Sequence, residues 1–112
     1  MLIGQILSRA AARFPDKIAA IEGARQSTFA ELDRAADRFA GALAASGVGK
    51  GARVAIMAPN ILEYPVVVFG AVRAGAIVCC ISGRVTADDL AYMLNKAEAE
   101  IVVAFEIGRA HV

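Results

Sequence analysis

The chain has 112 residues, enough for one domain or part of one, and its formal net charge of +1 comes from charges scattered along the whole length. That balance excludes a basic nucleic-acid surface and an acidic tail. Apolar residues make up 58% of the chain, above the roughly 45–50% of an ordinary soluble domain, and a short chain has the most surface to cover, so the excess suits a piece of a larger core.

At the N-terminus, Met1-Leu2-Ile3-Gly4 leads into a segment broken by Ser8, Arg9 and Arg13, without the compact apolar region of a secretory signal. A helix is predicted over Leu2–Phe14, with Ile3, Ile6, Leu7, Ala10 and Phe14 on one face. Pro15-Asp16 ends it. Lys17–Ile21 is a strand candidate that turns at Glu22-Gly23-Ala24-Arg25 toward a partner around Gln26-Ser27, a small hairpin. Thr28-Phe29-Ala30-Glu31 is a capping box, and Leu32, Ala36, Phe39 and Leu43 form the buried stripe of the helix that follows. Asp33, Arg34, Asp37 and Arg38 are placed toward water. Gly47 is a left-handed cap that Val48 closes.

Gly47-Val48-Gly49-Lys50-Gly51 invites a phosphate-loop reading, which the spacing rejects. Ala44 stands where the first glycine belongs, and Gly51 stands where Ser or Thr should follow the lysine. These glycines also end a helix and precede a strand. They form a turn.

Arg53–Ala58 and Ala76–Ile81 are short, continuous apolar runs joined by a helical segment that ends at Ala74-Gly75. Neither run alternates, so both are predicted as strands of a parallel sheet covered on both faces. Asn60 with Glu63 is the helix-start signature between them. Tyr64–Gly83, the longest weakly charged stretch, is interrupted by Pro65, Gly70, Arg73 and Gly75, which excludes a spanning helix. Thr86 with Asp89 opens another helix, with Leu90, Met93, Leu94 and Ala97 on its apolar stripe, and Glu100–Phe105 is the next strand. Crossovers moving in one direction would set the helices after Pro59 and Gly83 on one sheet face, with the Phe29–Ser46 helix over part of the other.

Adjacent Cys79 and Cys80 point to opposite faces of a strand and have neither disulfide nor metal-ligand spacing. They read as small buried hydrophobes in a reducing compartment, which places the protein in the cytoplasm. Asn60 stands at a strand's carboxyl end, where open α/β sheets bind ligands, although a helix cap is the simpler role. Arg84 reads as a solvated loop residue before an anion contact. His111 has no nucleophile or carboxylate at meaningful spacing.

In order, Ala11-Ala12-Arg13-Phe14-Pro15-Asp16-Lys17, Thr28-Phe29-Ala30-Glu31-Leu32, Gly47-Val48 with Gly51-Ala52-Arg53-Val54-Ala55, Pro59-Asn60 with Glu63, Arg73-Ala74-Gly75-Ala76, and Thr86–Leu90 with Tyr92 resemble the N-terminal part of the AMP-forming acyl-CoA synthetases, within the adenylate-forming family. The chain departs from that pattern where the family has proline near Cys80 and Asn-Pro at Ser82-Gly83. The resemblance implies an incomplete portion of the large N-terminal α/β domain, built of successive βα units in a mostly parallel sheet. It also implies a parent enzyme that uses ATP, magnesium and CoA to activate a carboxylic acid, with fatty acids the preferred class. The alternatives are transfer to a carrier-protein thiol and a self-contained, non-catalytic α/β binding module. The family's catalytic motifs lie downstream, so no catalytic, cofactor-binding or metal residue is assigned within the chain, and the fragment alone is expected to bind no cofactor. The remainder of the parent chain is expected to cover the sheet.

Residues 1–106 carry the family-like pattern. Residues 107–112, Ile-Gly-Arg-Ala-His-Val, are what ATC GGA AGA GCA CAC GTC encodes, which resembles a sequencing adapter translated in frame; this tail is expected to be non-native.

Overall fold

The computed structural model describes residues 3–57, 61–81, 86–99 and 101–104. In chain order the elements are α1 (Ile3–Arg13), β1 (Ile18–Glu22), β2 (Arg25–Thr28), α2 (Phe29–Ala45), β3 (Arg53–Met57), α3 (Glu63–Arg73), β4 (Ile77–Ile81), α4 (Ala87–Ala97) and β5 (Ile101–Ala104). β1 and β2 pair antiparallel as a separate hairpin, while β4, β3 and β5 form a parallel sheet in that order. The predicted α/β class with successive βα units is therefore present.

Local chemistry explains most element boundaries. The Thr28 hydroxyl accepts from the Glu31 N–H at 3.1 Å, and the Glu31 carboxylate accepts from the Thr28 N–H at 2.9 Å, so the capping box is complete. At the other end of α2, Gly47 adopts φ +90°, and the Val48 N–H returns to the Leu43 carbonyl while Val48 buries itself. Thr86 caps α4 by accepting from the Asp89 N–H.

Two apolar clusters hold the layers together. Leu43, Val48, Val54, Ile56, Val67 and Ala71 form the larger, which joins α2, β3 and α3. Leu7, Leu32 and Ala36 form the smaller, where α1 meets α2, with Ala19 of the hairpin packed on it. Of the expected α1 stripe, Leu7 alone is fully buried among the residues whose side chains are described. Ile6 and Phe14 are largely exposed, and Phe14 instead carries the Arg13 and Lys17 cations over its ring.

α2 does not cover the second sheet face, as the sequence led us to expect. It stacks on α3, and Gly70 is what lets it approach: a Cβ there would stand 2.8 Å from the Phe39 ring and 2.9 Å from the Ala36 carbonyl. The strand order corrects a second expectation. The chain steps from β3 to β4 on one side, then returns past β3 to β5 on the other. Crossovers of one hand that reverse direction put their helices, α3 and α4, on opposite faces.

β3 is buried on both faces, with Val54, Ala55 and Ile56 all at 0% exposure. β4 is not. Among the described residues it pairs only with β3, Ile77 is half exposed, and Cys80 is exposed with Cys79 partly so. An edge strand with a helix on one face lacks the cover that the apolar run implied, so the two cysteines are not the buried pair expected.

The glycine-rich turn before β3 is confirmed as a turn. The Gly51 N–H donates to the Gly75 carbonyl at 2.8 Å, which ties the turns preceding β3 and β4. Gly75 sits at φ +86°, and a Cβ on it would meet the Lys50 backbone at 3.2 Å. This turn lies at the amino ends of the strands, opposite the rim where parallel sheets bind ligands. No helix among the described residues is long and apolar enough to cross a membrane.

Candidate functional site

In an open parallel sheet, ligands bind outside the carboxyl ends of the strands, where the strand order reverses. Here the reversal falls at β3, so the crevice opens between the carboxyl ends of β3 and β5. Met57 ends β3, Ile81 ends β4 and Ala104 ends β5. None of the three residue types forms side-chain hydrogen bonds. Asn60, Arg84 and His111, the polar candidates from the sequence, lie outside the described residues, as does the 107–112 tail.

A cluster of described polar groups lies at the start of α3, the helix that follows β3. Helix starts leave N–H groups without partners, and a side chain of the local sequence usually accepts one. The residue in the cap position is Leu62, in helical conformation, with no side-chain cap. Glu63 is the first residue of this helix; its expected partner Asn60 lies outside the described residues. The acceptor comes from the hairpin instead: the Leu62 N–H donates to Glu22 Oε1 at 3.0 Å.

The same Glu22 oxygen accepts from Arg25 at 3.1 Å, and Arg25 reaches Glu63 at 2.5 Å. The hydrogen bond from Arg25 holds the Glu63 carboxyl below its usual range, and that bond raises Arg25 in turn. Glu31 is also lowered, by the Thr28 N–H it accepts in the capping box. Beside this clasp lies a groove of about 470 Å³ between β2, α2 and α3, bordered by Arg25, Gln26, Arg38, Leu62, Glu63 and Val66. The sequence marked Glu22 and Arg25 only as turn residues. Their opposite charges flanking a two-residue turn are a local signal, but Glu63 is 38 positions from Arg25 and no spacing rule reaches it.

The far end of α3 is fixed by a second polar node. Arg73 is largely buried and donates to the carboxylates of Asp33 and Asp37, the Asp33 carbonyl and the Ser8 hydroxyl. Asp33 and Asp37 were expected to face water. Asp37 does, whereas Asp33 is partly covered, and both anchor a cation that joins α1, α2 and α3. On the sheet side of α3, the Cys80 thiol beside the Tyr64 hydroxyl pushes Tyr64 up, with partial burial acting the same way.

These groups bind and orient. The described charges at the start of α3 are paired with one another, and no set of three or more His, Cys, Asp or Glu able to hold a metal occurs among the described residues. No step of nucleotide chemistry is assigned to them.

The sequence model of the AMP-binding enzyme family matches residues 7–111. The chain belongs to that family. Among curated relatives, a protein named 4-coumarate–CoA ligase-like 9 from Oryza sativa is 37% identical over 97 residues, 84% of the chain. A long-chain-fatty-acid–CoA ligase of Salmonella typhimurium is 36% identical over 100 residues, 88% of the chain. The chain spans 18% of the length of each of these relatives. A solved structure of a Mycobacterium tuberculosis fatty acyl CoA synthetase superposes with a TM-score of 0.86 at 31% identity, covering 91% of the chain and 21% of the synthetase. The fold is that of the N-terminal domain of adenylate-forming enzymes.

Proposed function

We propose that the parent of this chain is an ATP-dependent, AMP-forming ligase that activates a carboxylic acid and passes it to the thiol of CoA. The observation that carries this reading is the family match across residues 7–111. Relatives named as CoA ligases, at comparable identity, support CoA as the acceptor. Their names differ in the acid, and most of those we compared name long-chain fatty acids, so a fatty acid is the preferred substrate.

A carboxylate oxygen leaves poorly, so the acid is first made into a better electrophile. The carboxylate attacks the α-phosphorus of ATP, forming an acyl-adenylate and releasing pyrophosphate. The CoA thiol then attacks the acyl carbon, and AMP departs with the electron pair. Magnesium would offset the phosphate charge. Residues 1–106 are on this reading scaffold from the AMP-binding domain, and the isolated chain neither binds ATP nor catalyses. The cytoplasm is the location that fits.

The test is to recover the complete reading frame and assay it with ATP, magnesium and acids that include long-chain fatty acids and 4-coumarate. Acid-dependent pyrophosphate release, followed by thioester formation with CoA, is the expected result. No adenylate from any acid would overturn the assignment, and an adenylate that CoA does not accept would overturn the choice of acceptor. Resequencing the locus tests the non-native origin of residues 107–112, which fails if those codons continue into native DNA.

A further inference from the structure

We propose that the outer face of α1 is a docking surface for an anionic lipid bilayer, on which the protein rests without inserting a helix. The charge and exposure of this face carry the proposal, independently of the ligase chemistry above. α1 is fastened to the body by one side only: Leu7 is buried with Leu32 and Ala36, and the Ser8 hydroxyl accepts from Arg73. Helical spacing then turns Ile6, Arg9 and Arg13 outward together. Phe14 joins them, because its N–H donates to the Ala10 carbonyl and so continues the helix by one residue. Ile6 is 50% exposed and Phe14 38%, and both arginines are exposed. Single exposed apolar residues are ordinary on any surface. The charge around these two sets them apart.

Over residues 1–21 the cations Arg9, Arg13 and Lys17 are accompanied by a single acid, Asp16. Among the described residues none of the three cations forms an ion pair, whereas Arg25, Arg53 and Arg73 are each held by carboxylates. Arg13 and Lys17 lie over the Phe14 ring instead, 5.3 and 4.4 Å from its centroid, which keeps both charges beside an exposed aromatic. Unpaired cations next to bulky apolar side chains complement a surface that is negative at the headgroups and apolar just beneath them. A protein partner fits this face less well. α1 has 11 residues, so it is a convex rod about 16 Å long, while a stable protein interface takes roughly 800 Å² from each side. The same length is well short of the about 20 residues that span a bilayer, so α1 would lie along the surface.

The experiment is co-sedimentation of the complete parent protein with vesicles of phosphatidylcholine mixed with phosphatidylglycerol, and with vesicles of phosphatidylcholine alone. Binding is expected to the mixed vesicles at low salt, and it should fall steeply on the neutral vesicles or at about 1 M salt, where screening acts within about 3 Å. Arg9→Gln and Arg13→Gln should each weaken binding about fivefold, the factor one basic residue carries near an anionic surface. Ile6→Gln should cost about fivefold as well, for the exposed half of an isoleucine side chain. All three positions are exposed, so these variants should fold as the wild type does. Lys96→Gln is the control: it removes an exposed cation stacked on Tyr92 of α4, across the sheet, and should leave binding unchanged. No binding to the mixed vesicles overturns the proposal, as does binding that all three α1 variants retain. An equal loss in Lys96→Gln and Arg13→Gln overturns it too, since net charge would then be the cause. Light scattering that shows a dimer dissociated by Ile6→Gln would give the face to a second copy and overturn the lipid assignment. A wild-type protein with no acid-dependent activity overturns the ligase reading alone.

Discussion

β3 and β4 are both short, mainly apolar runs of five residues, Arg-Val-Ala-Ile-Met and Ile-Val-Cys-Cys-Ile, yet one is sealed and the other is half open. Val54, Ala55 and Ile56 have no exposed surface, whereas Ile77 is 50% exposed and Cys80 faces out. Their strand partners explain the difference. β3 has a parallel neighbour on each side, with α3 and then α2 stacked over one of its faces; among the described residues β4 has a neighbour on one side only. An apolar run states that a segment tolerates burial. Its place in the sheet decides how much burial it receives.

The sharpest way to break this comparison is to truncate one isoleucine in each strand and measure urea unfolding of the 112-residue chain. Ile56→Ala should cost about 2–5 kcal/mol, the range for emptying a packed core site. Ile77→Ala should stay within about 0.5 kcal/mol, as surface changes do. Equal losses would show that β4 is covered in solution, as a second copy pairing along its edge would do. Light scattering on the same samples distinguishes that case.

The next largest effect tests the layer that seals β3. Gly70→Ala places a methyl group against the Phe39 ring and the Ala36 carbonyl, so α2 and α3 must separate. Overpacking of this kind costs about 1–3 kcal/mol, although alanine is the better helix former by about 1 kcal/mol. The unfolding midpoint should fall, and a rise would mean that the two helices pack more loosely than described.

Thr28→Ala removes the hydroxyl that caps α2 without touching either cluster. A loss of about 1 kcal/mol is expected, with helix content by circular dichroism unchanged away from the transition.

The smallest effect belongs to the hairpin, where charge replaces burial. Glu63 has a depressed carboxyl, held down first by the Arg25 hydrogen bond. A lowered folded-state value means that its contribution is present above the unfolded value near 4.5 and is lost as pH falls through the lower, folded one. Acid should therefore weaken the attachment of the hairpin below about pH 4.5. Glu63→Gln should flatten that part of the stability profile by lowering the neutral-pH plateau slightly toward the acid value. A profile of unchanged steepness would remove Glu63 as its source.

Local signals determined much of this protein. Capping at Thr28 and Thr86, the left-handed turn at Gly47, the hairpin turn and the apolar runs of β3, β4 and β5 were all legible, because each depends on residues a few positions apart. The family was legible too, since ordered short matches survive where no single motif decides. What only the tertiary structure decided were relations between distant segments. Strand order placed β4 at an edge and separated α3 from α4, and a helical glycine drew α2 onto α3. Arg73 drew Asp33 and the still exposed Asp37 into an anchor, and Glu22 accepts from a helix start across 40 positions. Burial and long-range hydrogen bonds depend on which surfaces meet, and periodicity along the chain records only that a surface is ready to meet another.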